Sequence, residues 1–388
     1  MLWFISVCLI SSFSVSVVLT ALMRVWAPQW GLIDQPAARK VHVTPTPMGG
    51  GTAIVLGFLI PAAMAFVLVG WIFPAYPQLL KYVPKSVALN FGGLIEKGTL
   101  FLKIVSAGLV LSIVGLWDDL RGLSWKFRLF VQFGLAISLV LSGVNATVFV
   151  ERPWFGSVLT VFWIVALINS FNFLDNMDAL SGGIGLIAAS LFALVQLSLT
   201  GEPRWLVAGA LLLLVGALAG FLVHNRPPAK IFMGDAGSTF LGLMLSSLTI
   251  VGTFYDTRTG SKHVMLAPLC IMAVPLYDLL TVTSIRLLEG RSPFQPDKSH
   301  FSHRLVELGL TKPQAVLTVH LATLTTGLGA LLLYKVPDWT GALLVIGLIL
   351  CLLWIVAILE TVGRKSTQTA KAKAAETAVP LNESVPTT

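Results

Sequence analysis

Apolar stretches near the length of a membrane-crossing helix recur from one end of the chain to the other, broken by short polar segments. Eleven runs stand at roughly 3–23, 50–72, 99–117, 127–147, 153–170, 181–200, 205–223, 237–255, 264–285, 314–334 and 340–360. A helix of about 20 residues crosses a hydrocarbon layer of about 30 Å. The strands of a membrane barrel would alternate polar and apolar residues over about ten positions, whereas these runs are continuously apolar. The pattern predicts an all-α fold, a polytopic transmembrane helical bundle of about 11 spans. Lys103 and Asp278 interrupt the third and ninth runs. The first run has no basic start, and its first positive charge, Arg24, follows it. That favours a retained span over a cleaved signal, with the N-terminus outside.

Composition supports the membrane reading. Of 388 residues, 56% are hydrophobic and 11% charged, with a mean hydropathy of +0.85; soluble domains carry about 25% charged residues. Cys8, Cys270 and Cys351 each sit in an apolar run with no Cys-x-x-Cys spacing, so they read as packing residues and not as zinc ligands or disulfides. Seventeen of the 26 lysines and arginines fall in one alternate set of loops and eight in the other, with Lys103 inside a span. Positive charge marks the cytoplasmic side, which puts the N-terminus out and the C-terminus in. Residues 1–363 form one transmembrane unit, and 364–388 read as a disordered cytoplasmic tail. The net charge of +8 is this topology signal plus the tail, and no nucleic-acid partner is expected. The stretch 71–98 is the longest outward loop.

The acids carry the chemical information. Five polar segments lie at the predicted cytoplasmic boundary: 31–51, 115–128, 169–183, 224–238 and 289–305. Asp118 and Asp119 end the third span, where a solvated helix end is the plain alternative. In "FNFLDNMDALSGG" the acids Asp175 and Asp178 stand between two uncharged runs. Their i,i+3 spacing would put them on one helix face with Asn169 and Asn172, and such a stripe is costly at membrane depth unless it lines a wet cavity. "MGDAGS" holds Asp235 in a Gly-flanked turn leading into a span, suited to an anion or to a simple cap. His300, His303 and Arg304 would form one cationic face, for a phosphate or for lipid headgroups. Asp278 lies within the membrane, either functional or a partner for a buried cation. His320 reads as a hydrogen-bonded packing residue.

Five carboxylates, a Gly turn and a His/Arg patch at one membrane face suggest Mg²⁺, or Mn²⁺ in its place, held by one or two carboxylates plus substrate oxygens. The inferred chemistry is phosphoryl transfer at the membrane surface. A secondary transporter is the rival reading, but transporters place their acids near the midplane of repeated halves, and no repeat is visible.

Taken in order, Asp-Asp-x(6)-Lys, Asn-x-x-Asn-x-x-Asp-x-x-Asp, Phe-Met-Gly-Asp-x-Gly-Ser and the terminal His loop resemble the polyprenyl-phosphate N-acetylhexosamine-1-phosphate transferases (glycosyltransferase 4 family) over roughly residues 31–310. The resemblance implies an enzyme that moves N-acetylhexosamine-1-phosphate, GlcNAc-1-phosphate in the type most like this chain, from a UDP-sugar to undecaprenyl phosphate. UMP is released, as the first membrane step of cell-envelope polysaccharide synthesis. The alternative within the family is the phospho-MurNAc-pentapeptide transferase of peptidoglycan synthesis, whose run of consecutive histidines is absent. By the same resemblance Asp118 and Asp119 act on the lipid phosphate, the first as base. Lys126 is a cationic site residue, and Asn172, Asp175 and Asp178 line the cleft. Asp235 binds the metal, with Asp175 beside it, and Phe232 stacks on uracil. His300, His303 and Arg304 help select the sugar nucleotide. Ser302 stands where the GlcNAc type usually has a histidine, a change expected to loosen sugar selectivity. The glycines of "ALSGG" are expected to let the next span start close to Asp175 and Asp178. The implied setting is the bacterial inner membrane with the site facing the cytoplasm, and a homodimer is compatible with it.

Overall fold

Each of the eleven apolar runs falls largely on helix. The computed structural model describes residues 1–36, 44–146, 153–200, 203–252, 262–294, 297 and 299–377. Among these, nine helices are long and apolar enough to cross a membrane, or ten if one bent pair counts as a span. That pair is Lys262–Ile271 and Ala273–Leu288, which meet at 63°. Pro275 has no N–H to give the carbonyl of Ile271, so the helix loses a bond at the break. The remaining run forms Trp125–Leu141, only 17 residues. At a rise of 1.5 Å per residue it reaches about 26 Å, at the lower end of what a crossing takes. Much of the expected outward loop is helical as well, because the next helix begins at Phe91 and runs for 31 residues to Arg121. The last helix, Trp339–Thr377, passes residue 364, where the tail was expected to begin; residues 378–388 of that tail lie outside the described residues.

The chain is an all-α multi-pass membrane protein. Its exterior is apolar, as a lipid-facing surface must be: Leu141 is 83% exposed, Phe130 76% and Leu344 69%. Without a hydrophobic drive between helices in lipid, close packing needs small residues, and the first helix shows how. Leu2–Trp26 lies against Trp205–Asn225 and Gly50–Val67. A Cβ on Gly216 or Gly220 would come within 2.7 Å of the carbonyl oxygen of Leu9 or Phe13. Across this contact the Ser16 hydroxyl donates to the Ala217 carbonyl at 2.6 Å, and Ser12 donates to Gly57 at 2.8 Å.

The same device sets the centre of the molecule. Gly234–Val251 packs on Phe91–Arg121, Pro153–Leu174 and Gly50–Val67. A Cβ on Gly51 would meet the Gly237 nitrogen at 2.2 Å, and one on Gly115 would meet the Asp235 backbone at 2.6 Å. The only sheet among the described residues is the antiparallel pair Ile33–Asp34 with Thr46–Pro47. It continues as a bridge from Met48 to Phe232, so the stretch before the second helix is sewn to the start of Gly234–Val251.

The Gly115 contact is against backbone, which cannot swing aside. Gly115→Ala should therefore lower the melting temperature of the detergent-purified protein, with a loss of about 1–3 kcal/mol of stability. Gly347, with nothing within 4 Å of its Cβ position, serves as the control. Gly347→Ala should melt no lower than wild type, and equal melting of both variants would refute the packing argument.

Candidate active site

All five polar boundary segments contribute to one cavity of ≈ 410 Å³. Asp34 and Met48 come from the first, Asp119 and Arg128 from the second, and Asn172 to Asp178 from the third. Asn225, Phe232, Gly234 and Asp235 come from the fourth, and Phe294, Asp297, His300 and His303 from the last. Arg286, from the helix before the last segment, completes the wall.

Asp119 and Asp235 are locked together through the backbone. Gly234 has φ +72 and turns the chain into the helix that starts there. The exposed N–H groups of Asp235 and Ala236 then donate to the two oxygens of Asp119 at 2.9 and 3.3 Å. A carboxylate at a helix start is the favourable arrangement of charge and orphan donors. Asn172 donates to Asp235 Oδ1 at 2.8 Å and to Ser238 Oγ at 3.2 Å. Arg128 Nη1 sits between Asp118 Oδ2 at 2.6 Å and Asp235 Oδ2 at 2.7 Å. Asp118 also accepts the Leu123 N–H at 2.5 Å, so both its oxygens are engaged, and it is absent from the cavity wall. That placement does not suit a free base.

The helical stripe ends sooner than its spacing suggested. Pro153–Leu174 stops before Asp175, and the next helix begins at Leu180 after Ala179 in the left-handed region, φ +63. Asp175 and Asp178 thus lie in a tight link, not on a continued helix face. Asn169 bonds Gln132 at 2.7 Å, behind the site. Asp178 accepts the Ala229 N–H at 2.9 Å and braces the neighbouring turn. Asp175 accepts a bond from the Gly234 backbone. Burial, with repulsion from Asp119 and Asp178, pushes its carboxyl up to about 7 despite that bond. The glycines after this link admit other neighbours than expected: a Cβ on Gly183 would meet His320 Nε2 at 2.3 Å, and one on Gly182 would meet Leu222 at 3.2 Å. His320 itself lies 3.3 Å from the Leu180 carbonyl, in the packing role expected of it.

The histidine loop is held from behind. His300 Nδ1 meets Asp278 Oδ2 at 2.9 Å, and the Phe301 N–H donates to Asp278 Oδ1 at 2.6 Å. Asp278 is fully buried; its partner is a histidine and a backbone group, not a lysine or arginine. Arg304 turns away from the cavity. It donates to the Ser299 carbonyl at 2.6 Å and to Thr281 Oγ1 at 3.0 Å, and it forms an ion pair with Glu360, on the final helix, at 3.1 Å. Its expected substrate contact is replaced by an anchoring one. Ser302 is buried and donates to Asn176 Oδ1 at 2.7 Å, tying this loop to the Asp175–Asp178 link instead of facing a ligand. His300, His303 and Phe232 do line the cavity.

Lys126 is exposed and rests 5.7 Å from the Trp125 ring, outside the cavity. Helix phase explains the change. Gln132 and Ala136 point inward from Trp125–Leu141, and Arg128 shares their face at four-residue spacing. Sequence reading missed Arg128 and also Arg286, which is 1% exposed, bonds Asp297 at 2.9 Å and lies 5.1 Å from the Phe173 ring. Burial opposes ionisation of Asp297, but bonds from Arg286 and Ser299 hold it below the usual carboxylate range. The available signal for both arginines was modest: Arg128 ends one polar boundary segment, and Arg286 lies three residues before another.

Among the described residues no group of three or more His, Cys, Asp or Glu forms a ready metal site. The donor chemistry nonetheless fits a hard cation completed by substrate oxygens and water. Asp119, Asp175 and Asp235 share one cavity, where their carboxylate oxygens could be completed by substrate and water.

Residues 101–253 match the model of the family described as glycosyl transferase family 4. A Bacillus subtilis protein named as a probable undecaprenyl-phosphate N-acetylglucosaminyl 1-phosphate transferase is 30% identical, over 93% of this chain and 94% of its own. A decaprenyl-phosphate N-acetylglucosaminephosphotransferase of Mycobacterium tuberculosis is 34% identical over 78% of this chain and 76% of its own. The undecaprenyl-phosphate alpha-N-acetylglucosaminyl 1-phosphate transferase of Escherichia coli is 29% identical over 86% of each chain.

A carboxyl raised in the folded state makes folding bind a proton. Stability from this group is then fully present below the unfolded value of about 3.9 and is lost as pH rises to about 7. Asp175→Asn removes the effect. In EDTA its melting temperature should exceed wild type by a margin that grows from pH 4 to 7 and then levels. A margin independent of pH would contradict the raised carboxyl.

Proposed function

Because the chain belongs to glycosyl transferase family 4, we propose that it transfers GlcNAc-1-phosphate from UDP-GlcNAc to a polyprenyl phosphate, releasing UMP. It is a phosphotransferase of the membrane. A lipid phosphate oxygen attacks the β-phosphorus of the sugar nucleotide. The bond from that phosphorus to the bridging oxygen breaks, and the electron pair leaves with UMP. The observation that carries this reading is the meeting of Asp119, Asp175, Asp235 and Arg128 in one cavity at one end of the helices. That is the equipment for positioning two phosphates and offsetting their charge.

The residues divide the work. Asp235 and Asp175 would hold Mg²⁺, which supplies charge neutralisation at the pyrophosphate. Asp119, fixed by two backbone N–H groups, keeps Asp235 in place. Arg128 offers the transferring phosphate a guanidinium, while Asp118 orients that guanidinium from behind. Phe232 offers uracil a flat face, and His300 and His303 lie where the sugar nucleotide would pass. The charge bias of the loops supports eleven spans, with the site on the cytoplasmic side of a bacterial inner membrane.

Purified protein mixed with UDP-GlcNAc, Mg²⁺ and polyprenyl phosphate should release UMP and form lipid-linked sugar in equal amounts. Asp235→Asn should abolish this while the protein purifies normally. Arg128→Gln removes charge-assisted contacts of roughly 1.5–3 kcal/mol each, so kcat should fall on the order of ten- to a hundredfold. UMP release without the lipid product would sink the reaction, and an Arg128→Gln variant with wild-type kcat would remove Arg128 from it.

The orientation is tested separately. A reporter fused after Thr388 should be active only in a form that works in the cytoplasm. Activity of a periplasm-dependent reporter at that position would overturn the assigned sidedness.

A further inference from the structure

A second polar cleft, of ≈ 460 Å³, opens beside the cavity and shares none of its residues. Arg24 and Val25 enter it from the last turn of the first helix, Thr44, Thr46 and Pro47 from the strand segment, and Lys230 from the turn before Phe232. Among the described residues its lining holds two cations, Arg24 and Lys230, and no carboxylate. Arg24 lies 3.4 Å from a ring nitrogen of His224, so an imidazole and not an acid supports its guanidinium. Lys230 is exposed and fixed through its backbone, whose N–H donates to the His224 carbonyl at 2.9 Å. Trp26 and Trp30, 41% and 57% exposed, follow directly. Such rings favour the headgroup level of a bilayer, which sets the depth of the cleft.

We infer that this cleft binds a phosphate group at headgroup depth, gripped by Arg24 and Lys230. Two like charges facing one concavity repel each other, and an anion between them relieves that repulsion. Basic pockets between membrane helices on the positively charged side take anionic lipid headgroups in this way. A free phosphate offers the same chemistry.

Position gives the site a consequence. Thr46 and Pro47 line the cleft, and the next residue, Met48, lines the reaction cavity. The Phe232 N–H donates to the Pro47 carbonyl at 2.9 Å, and the Gly50 N–H donates to the Phe232 carbonyl at 2.9 Å. An anion held by Arg24 and Lys230 therefore braces the strand that carries one wall of the cavity. The inference concerns binding alone, so it stands or falls apart from the reaction proposed above.

The test uses the full-length protein in neutral detergent. Phosphatidylglycerol retention is read by native mass spectrometry, and melting is followed with added phosphatidylglycerol or inorganic phosphate. Arg24→Gln/Lys230→Gln should bind phosphatidylglycerol roughly five- to thirtyfold more weakly than wild type, from about one surface-cation contribution per residue. Arg24→Lys/Lys230→Arg should retain most of the binding. Stabilisation of wild type by phosphate alone, lost in the double Gln variant, would support the site with a free anion as occupant. If the double variant fails to purify, Lys230→Gln, at an exposed position, gives the same comparison with a smaller shift. Equal responses of wild type and the Gln variant to both probes would overturn the inference.

Discussion

Two hydrogen bonds at the start of one helix organise this protein. The backbone N–H groups of Asp235 and Ala236 donate to the carboxylate of Asp119. A helix start has unsatisfied donors and a partial positive charge, and a carboxylate answers both. The contact is reached only because Gly115 lets Phe91–Arg121 lie against the Asp235 backbone. Through it, Asp119 and Asp235 are fixed relative to each other, and the Gly234 backbone remains for Asp175. The three carboxylates thereby crowd into one half-buried space, with Arg128 as the cation bridging Asp235 to Asp118.

Such crowding disfavours the empty fold and favours a site that takes up positive charge. Each buried carboxylate raises the cost of ionising the next. The protein offsets part of that cost with backbone donors, Asn172 and the Arg128 guanidinium. In the proposed reaction, a cation brought in with the diphosphate would offset the remainder. The far wall is built on the opposite principle. Arg286 pairs with Asp297, His300 with Asp278 and Arg304 with Glu360. A buried charge left without a partner is costly, so these pairs hold the histidine loop in one place while leaving His303 at the cavity. The final helix thus reaches the site indirectly, through Glu360 and Arg304.

The sequence by itself determined the material of the fold and the membership of the site. Continuous apolar runs of bilayer length leave helix as the one way to satisfy the backbone in lipid, and each run lies largely on helix. Acids are costly enough in such a chain that their positions mark use, and all five polar segments do meet at one cavity. Tertiary structure decided which side chains of those segments face it. Lys126 and Arg128 differ by two residues, and only helix phase sends the second inward. Arg304 and Ser302 looked like ligand-facing residues until Glu360 and Asn176, distant in sequence, were brought against them. Asp175 and Asp178 had the spacing of a helix face, but the chain breaks at Leu174 because the link is held from outside, by Gly234 and Ala229. Local spacing records periodicity, whereas direction and hydrogen-bond partners belong to contacts between segments that the sequence keeps far apart.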